Sequence, residues 1–385
     1  MLNLDKSDWT SVRFGDVVTN VSETVKEPSA TGIDKVIALD HLDPGKLVIA
    51  RYGDVADGTT FTRRVRPGQT LFGKRRAYQR KAAYSEVDAI CSGDILVLEA
   101  DSERLSPRLL PFLVHSEGFF DHALGTSAGS LSPRTSWKAL AKYEVDLPPL
   151  ENQERIADLL WRIEHHKSHL KELQRTVDAA RKALVQTYVR GLAAGSLSEY
   201  VRAIEAGRSP KAEDVAAGRD SCGVLKVSAV GKRDFLPSEN KRLFQVDDFS
   251  PEHQVRAGDL LVTRANAIVD NVARACLVLE DHPNLMLSDK TLRLVPRQGS
   301  SKLVLLELLS SPRYRRYVRS AVGGTGAKNI SQRKLLAGPI PRMSQERMTL
   351  FEAHVARYNA VDRYVATELA QAKSVGTAIS TRVFA

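Results

Sequence analysis

Seven short features of this sequence occur twice, in the same order, about 190 residues apart. Val65-Arg66-Pro67-Gly68-Gln69-Thr70-Leu71-Phe72 has its counterpart in Val255-Arg256-Ala257-Gly258-Asp259-Leu260-Leu261-Val262. Each reads as a turn followed by a strand of apolar and β-branched residues, with basic residues just beyond. Ser92–Leu98 matches the placement of Ser288–Val295, a second strand. A helix-like stretch then leads into a loop of small residues, 125–130 in one copy and 323–329 in the other. A Pro-bearing strand follows, Val145–Pro149 or Gly338–Pro341, and then Gln153-Glu154-Arg155 or Gln345-Glu346-Arg347 opens a long helical pattern. Any one match could be chance, whereas an ordered series requires an internal duplication.

The two helical patterns set the architecture. From Ile156 the apolar residues fall at Ile156, Leu159, Ile163, Leu170, Leu173, Val177, Ala180 and Leu184, a heptad interrupted by His166. No Pro or Gly lies between Glu151 and Arg190, and Gly191 stands where a helix stops. At about 1.5 Å per residue such a helix is a rod roughly 57 Å long. The second copy runs through Met348, Phe351, Val355, Tyr358, Val365, Leu369 and Ala372, with Asp362 interrupting the seam. Neither helix has enough apolar surface to stand alone, so the expectation is that they pair with each other, antiparallel. The predicted fold is a mixed α/β class: two domains of similar fold, separated and followed by long helices that pair as an antiparallel coiled coil. The expected boundaries are a first domain over 1–150, a central helix over 151–192, a second domain over 193–343 and a C-terminal helix over 344–385.

Composition narrows the function. Lys and Arg number 56 against 46 Asp and Glu, a formal charge of +10, and such an excess points toward an acidic partner such as nucleic acid. Cys91, Cys222 and Cys276 are scattered and form no CxxC pair, which fits a reducing compartment and argues against a cysteine zinc site. The N-terminus lacks a signal-peptide pattern and no apolar run approaches the roughly 20 residues that cross a bilayer, so a cytoplasmic protein without membrane contact is expected. Catalytic motifs are missing: no GxxxxGK[ST] phosphate loop, no GxGxxG after a strand, no Asn-Pro-Pro-aromatic segment of amino-methyltransferases, no GxSxG and no HExxH. His165, His166 and His169 place two imidazoles one helical turn apart, but on a polar helix without a third ligand, so no metal site is assigned. The expectation is a reader and not an enzyme.

The run LPPLENQERIADLLWRIEHHKSHLKELQRTVDAARKAL (147–184) resembles the central conserved region of type I restriction–modification specificity (S) subunits. SWKALAKYEVDLPPL (136–150) fits the end of a target recognition domain in that family. GPIPRMSQERMTLF (338–351) is a looser version of the same junction, with one Pro fewer and Met in place of Leu. Ala206–Pro210 and Val224–Val227 also resemble family members. The resemblance implies a division of labour. Each recognition domain reads one half of a bipartite double-stranded DNA site. The paired helices set the spacer and dock two methyltransferase (M) subunits, with restriction (R) subunits as further partners. The chain itself binds no cofactor; S-adenosylmethionine belongs to the partner methyltransferase, and the system serves DNA methylation and phage defence.

Phosphate contacts position a protein on DNA and base-edge contacts specify sequence. In the first domain the candidates are Lys74, Arg75, Arg76, Tyr78, Gln79, Arg80 and Lys81, together with Ser127, Ser130 and Arg134 of the following loop; Arg63 and Arg64 are secondary. Arg and Gln can read guanine and adenine, and small residues let backbone approach phosphate. In the second domain they are Arg264 and Asn266, the basic helix with Arg313, Arg315 and Arg316, and the loop residues Thr325, Gly326, Lys328 and Asn329. Two other readings stay open: a recognition module of another phage-defence or methylation complex, and a coiled-coil adaptor between proteins that ignores DNA.

Overall fold

The computed structural model describes residues 5–129, 132–323 and 327–384. The chain divides into two compact units, one formed by residues up to 171 together with those from 366 onward, the other by residues 172–365. Each 40-residue helix, Leu150–Val189 and Gln345–Phe384, therefore contributes to both units.

The first unit contains two four-stranded sheets. One, fully antiparallel, has the order Val18–Val21, Ile95–Ala100, Thr70–Gly73, Ala82–Tyr84. Ile95–Ala100 is central, which is why its sequence ILVLEA is an apolar run whose first four residues are buried. The other sheet has the order Gly53–Asp54, Lys35–Ile37, Ala89–Cys91, Arg63–Val65, with its central pair parallel. A separate ribbon joins Thr10–Arg13 to Glu144–Leu147.

The second unit repeats this plan strand for strand. Its first sheet runs Val201–Ala206, Thr291–Pro296, Leu260–Thr263, Ala275–Leu277, with Arg233–Asp234 added at the edge. Its second runs Asn240–Leu243, Gly223–Leu225, His282–Met286, Gln254–Val255, again with a parallel central pair, and gains the short strand Ala212–Glu213. The ribbon recurs as Ala194–Ser196 with Pro339–Pro341. Even the entry turn is the same. Gly68 and Gly258 both have a positive φ, 93° and 80°, where a side chain would be strained. In each turn the arginine N–H is bonded by the residue three positions on: Arg66 to Gln69 Oε1 at 2.8 Å and Arg256 to Asp259 Oδ2 at 2.9 Å.

Within each unit the two long helices lie antiparallel. In the first, His166 Nε2 stands 3.4 Å from the Glu368 carboxylate. Farther along, Val383 and Phe384 join Ile156, Ala157, Leu160 and Trp161 in one core. In the second, Gln174 donates to Asp362 at 2.8 Å, and Tyr188 stacks on Phe351 with ring centres 4.5 Å apart while its hydroxyl meets His354 Nδ1 at 2.7 Å. Of the seam positions, Ile156, Leu170, Val177, Met348, Phe351, Val355 and Val365 are buried, and Leu159, Ile163, Leu184, Tyr358 and Leu369 are partly covered. Leu173 corrects the heptad reading: it is 39% exposed. A straight helix drifts about 20° per heptad away from a strict seven-residue repeat, so the covered stripe moves off that position. The stripe moves onto Arg181, 1% exposed, and Val185, neither of which the heptad selects.

Candidate nucleic-acid interface

Beyond the end of each inner strand, the chain meets the segment that follows the small-residue loop. In the first unit Lys74 N–H donates to Asp94 O at 3.0 Å and Thr135 N–H to Lys74 O at 3.0 Å. Arg75 bridges to Arg134, and Arg134 bridges on to Ala128. In the second unit Arg264 N–H donates to Lys290 O at 2.8 Å and Ile330 N–H to Arg264 O at 3.1 Å. Ala265 and Asn266 there pair with Asn329 and Lys328, and Asn329 bridges on to Gly323. Two sequence-predicted groups that lie far apart in the chain are thus brought into one seam, by the same bonds in both units.

The side chains divide into engaged and open ones. Arg75 Nε donates to Ser132 Oγ at 2.7 Å, and the Asp94 carboxylate sits 3.6 Å from Arg75 and 3.3 Å from Arg134, holding two guanidinium groups beside one acid. Arg80 pairs with Glu117, lies over the Phe120 ring at 5.2 Å, and holds that carboxyl below its usual range by hydrogen bonding. Lys81 Nζ donates to Leu39 O at 2.8 Å and Ser127 Oγ to Ala123 O at 2.7 Å, so both fix loops in place. Arg76 adopts a left-handed φ of 55° and is exposed, and among the described residues it holds no ion pair. Tyr78 is 56% exposed. Arg75, Arg76, Gln79 and Lys81 line one concavity with Leu39 and Asp40. The secondary pair is committed elsewhere: Arg64 bonds Asp88 and Glu23, and Arg63 donates to Ile95 O at 3.0 Å.

In the second unit the helix Pro312–Ala321 packs through Tyr314 and Val318. Arg315 turns inward, donating to Ala273 O and Asp270 O at 3.0 Å each, and its burial draws its pKa down. Arg319 pairs with Asp270 at 2.8 Å, whereas Arg313 and Arg316 are exposed and hold no ion pair among the described residues. Asn266 Oδ1 accepts the Ile268 N–H at 3.0 Å. Ser130, Thr325 and Gly326 lie outside the described residues. Among the described residues no three His, Cys, Asp or Glu side chains form a metal-binding group, and no helix is long and apolar enough to cross a membrane. All three cysteines are free, and burial pushes the Cys91 thiol up to about 12.

Two copies of one mixed α/β domain, each carrying a seam with basic side chains and each packed on an antiparallel helix pair, define a duplicated α/β protein. The model of the type I restriction modification DNA specificity domain matches residues 6–176. The type I restriction enzyme EcoEI specificity subunit of Escherichia coli is 33% identical over 149 residues, covering 37% of this chain and 25% of that subunit. The chain thus aligns with a quarter of that relative's length. The crystal structure of a type I restriction–modification system S subunit from M. genitalium shares the fold, with a TM-score of 0.68 over 100% of this chain and 98% of that one at 11% identity. Residues 6–176 thus carry a match to the type I restriction modification DNA specificity domain, and the fold is shared with a solved S subunit.

Proposed function

We propose that this chain is the DNA-sequence-reading subunit of a type I restriction–modification complex and is not itself a catalyst. Each recognition domain reads one half of a bipartite site in double-stranded DNA, and the paired helices set the unread spacer and dock two methyltransferase subunits. Restriction subunits are further partners. S-adenosylmethionine is bound by the methyltransferase and not by this chain. The observation that carries the reading is the repetition of one seam, Lys74–Arg76 against 133–135 and Arg264–Asn266 against Lys328–Ile330, at equivalent places in two otherwise divergent domains. An adaptor that joined proteins through its helices alone has no use for two such seams. The domain division proposed is the one read from the sequence, 1–150, 151–192, 193–343 and 344–385.

Phosphates neutralised by Arg and Lys give affinity that falls steeply with salt, and base-edge contacts by Arg76, Gln79 and Asn266 give selectivity. The test is selection from a random DNA pool by the full chain co-purified with an adenine methyltransferase subunit. The expected product is two short conserved blocks separated by a constant gap, and Asn266→Ala relaxes one block only. A pool that stays random while the complex is intact would favour the adaptor reading.

A further inference from the structure

Val215, Phe244, Val246 and Leu279 are exposed apolar side chains of the second unit that belong to neither strand segment of the basic seam. Ile268 is 61% exposed, and its N–H is bonded to Asn266 Oδ1, so it is held two residues from a candidate base-reading amide. Neither composition nor charge singles it out. The first unit places a large apolar side chain at the same count beyond its inner strand: Thr70–Gly73 leads to Tyr78 as Leu260–Thr263 leads to Ile268. Tyr78 is 56% exposed and is the middle residue of a short turn, Ala77–Gln79, whereas Ile268 immediately precedes the turn Val269–Asn271.

Resting on the DNA-reading function above, we propose that Ile268 reads the 5-methyl group of a thymine in the half-site bound by the second domain. Tyr78 stands as its counterpart in the first. An isoleucine side chain has no hydrogen-bonding atom. In a groove where arginine and amide groups read guanine and adenine, the base feature it can select is the thymine methyl. Asn266 and Ile268 are complementary in this respect. An amide that pairs with adenine N6 and N7 faces an A·T pair, and the thymine methyl lies on the same major-groove edge. Covering that methyl with the Ile268 side chain removes from water two apolar surfaces that are exposed in the free partners.

The test uses the full chain with its methyltransferase subunit and the half-site recovered by selection. Each thymine of the half-site is replaced in turn by deoxyuridine, which keeps the pairing and deletes only the methyl. Wild type is expected to lose affinity roughly fourfold at one position, the worth of one buried methyl group. Ile268→Ala should bind the thymine and uracil duplexes equally, with Ile268→Val between, and with thermal melting unchanged from wild type. A wild-type protein indifferent to every replacement, or a half-site without thymine, would overturn the proposal while leaving DNA reading intact. Absence of any selective DNA binding would instead overturn the DNA-reading function, and this assignment with it.

Discussion

Phe112 and Glu307 occupy one place in the two units. Each stands four residues ahead of a serine, Ser116 or Ser311, whose hydroxyl caps the next helix. Each touches the first long helix, but with opposite chemistry. Phe112 meets Trp161 edge-on at 5.2 Å, and the Trp161 indole N–H is satisfied by Arg108 O at 2.9 Å. The Glu307 side chain is fully buried and takes Arg181 at 2.9 Å on one oxygen and Arg233 at 2.7 Å on the other. Arg181 also donates to Asn359 at 2.8 Å, pairs with Asp362 and lies 5.5 Å from the Tyr358 ring centre. One duplicated joint has kept its backbone and exchanged an apolar filling for an ionic one. An aromatic contact degrades gradually when trimmed, whereas a buried ion network fails when any one charge loses its partner.

The largest expected effect follows from that difference. Glu307→Ala strands the Arg233 guanidinium, leaves Arg181 with Asp362 as its one carboxylate, and should lower stability by about 3–5 kcal/mol in chemical denaturation. The triple replacement Arg181→Met, Arg233→Met, Glu307→Leu should recover most of the loss, since an apolar filling serves the same joint in the first unit. A triple variant no better than Glu307→Ala would break the comparison.

The two seams allow a second contrast, on DNA. Arg76→Ala and Asn266→Ala should each weaken binding by about 1–3 kcal/mol if both touch bases. Arg76→Ala should also reduce the salt dependence by about one phosphate contact, and Asn266→Ala should leave the slope unchanged. Identical slopes for the two variants would assign Arg76 no part in charge neutralisation. Arg75→Ala should weaken binding as well, and it leaves Arg134 alone beside Asp94.

Smaller changes sharpen the joint itself. Phe112→Leu keeps an apolar contact with Trp161 and should cost under about 1.5 kcal/mol by denaturation, well below Glu307→Ala. The residue just before the capping serine separates the units by pH. His115 is partly buried with Nε2 bonded to Ala82 O at 2.8 Å, and desolvation lowers its pKa; the equivalent position in the second unit is Ser310. An imidazole whose folded pKa lies below its unfolded value takes up its proton more readily in the unfolded chain. Its contribution is therefore complete above the unfolded value of about 6.5 and is lost as pH falls toward the folded one. Hydrogen exchange across 110–120 should accelerate below that pH before exchange across 305–315 does, and His115→Gln should remove the difference.

The features legible in the sequence were those carried by local pattern. The repeated turn and strand, the two long helices and the clustering of basic residues all depend on residues close together in the chain. What escaped depends on contacts made across it. Arg181 reads as one more charged residue of a polar helix, and Glu307 as a charge within the apolar run Leu303–Leu309; only packing shows that they need each other. Leu173 was expected in the seam because a strict heptad ignores helical drift. Arg315 and Lys81 look like free cations in sequence and are spent on carbonyl groups of neighbouring loops. Ile268 carries no sequence signal apart from its count from the strand, which becomes visible when the two units are aligned by their hydrogen bonds.

The central claim is that two domains read two halves of one site across a gap set by the helices. The most direct test is to co-express the chain with an adenine methyltransferase subunit and map methylated adenines across a genome by long-read sequencing. The account predicts a single motif of two blocks with an invariant gap, and a different gap or no assembly when one heptad is deleted within 156–184. Methylation at one uninterrupted motif, or an unchanged gap in an intact complex of the shortened chain, would contradict it.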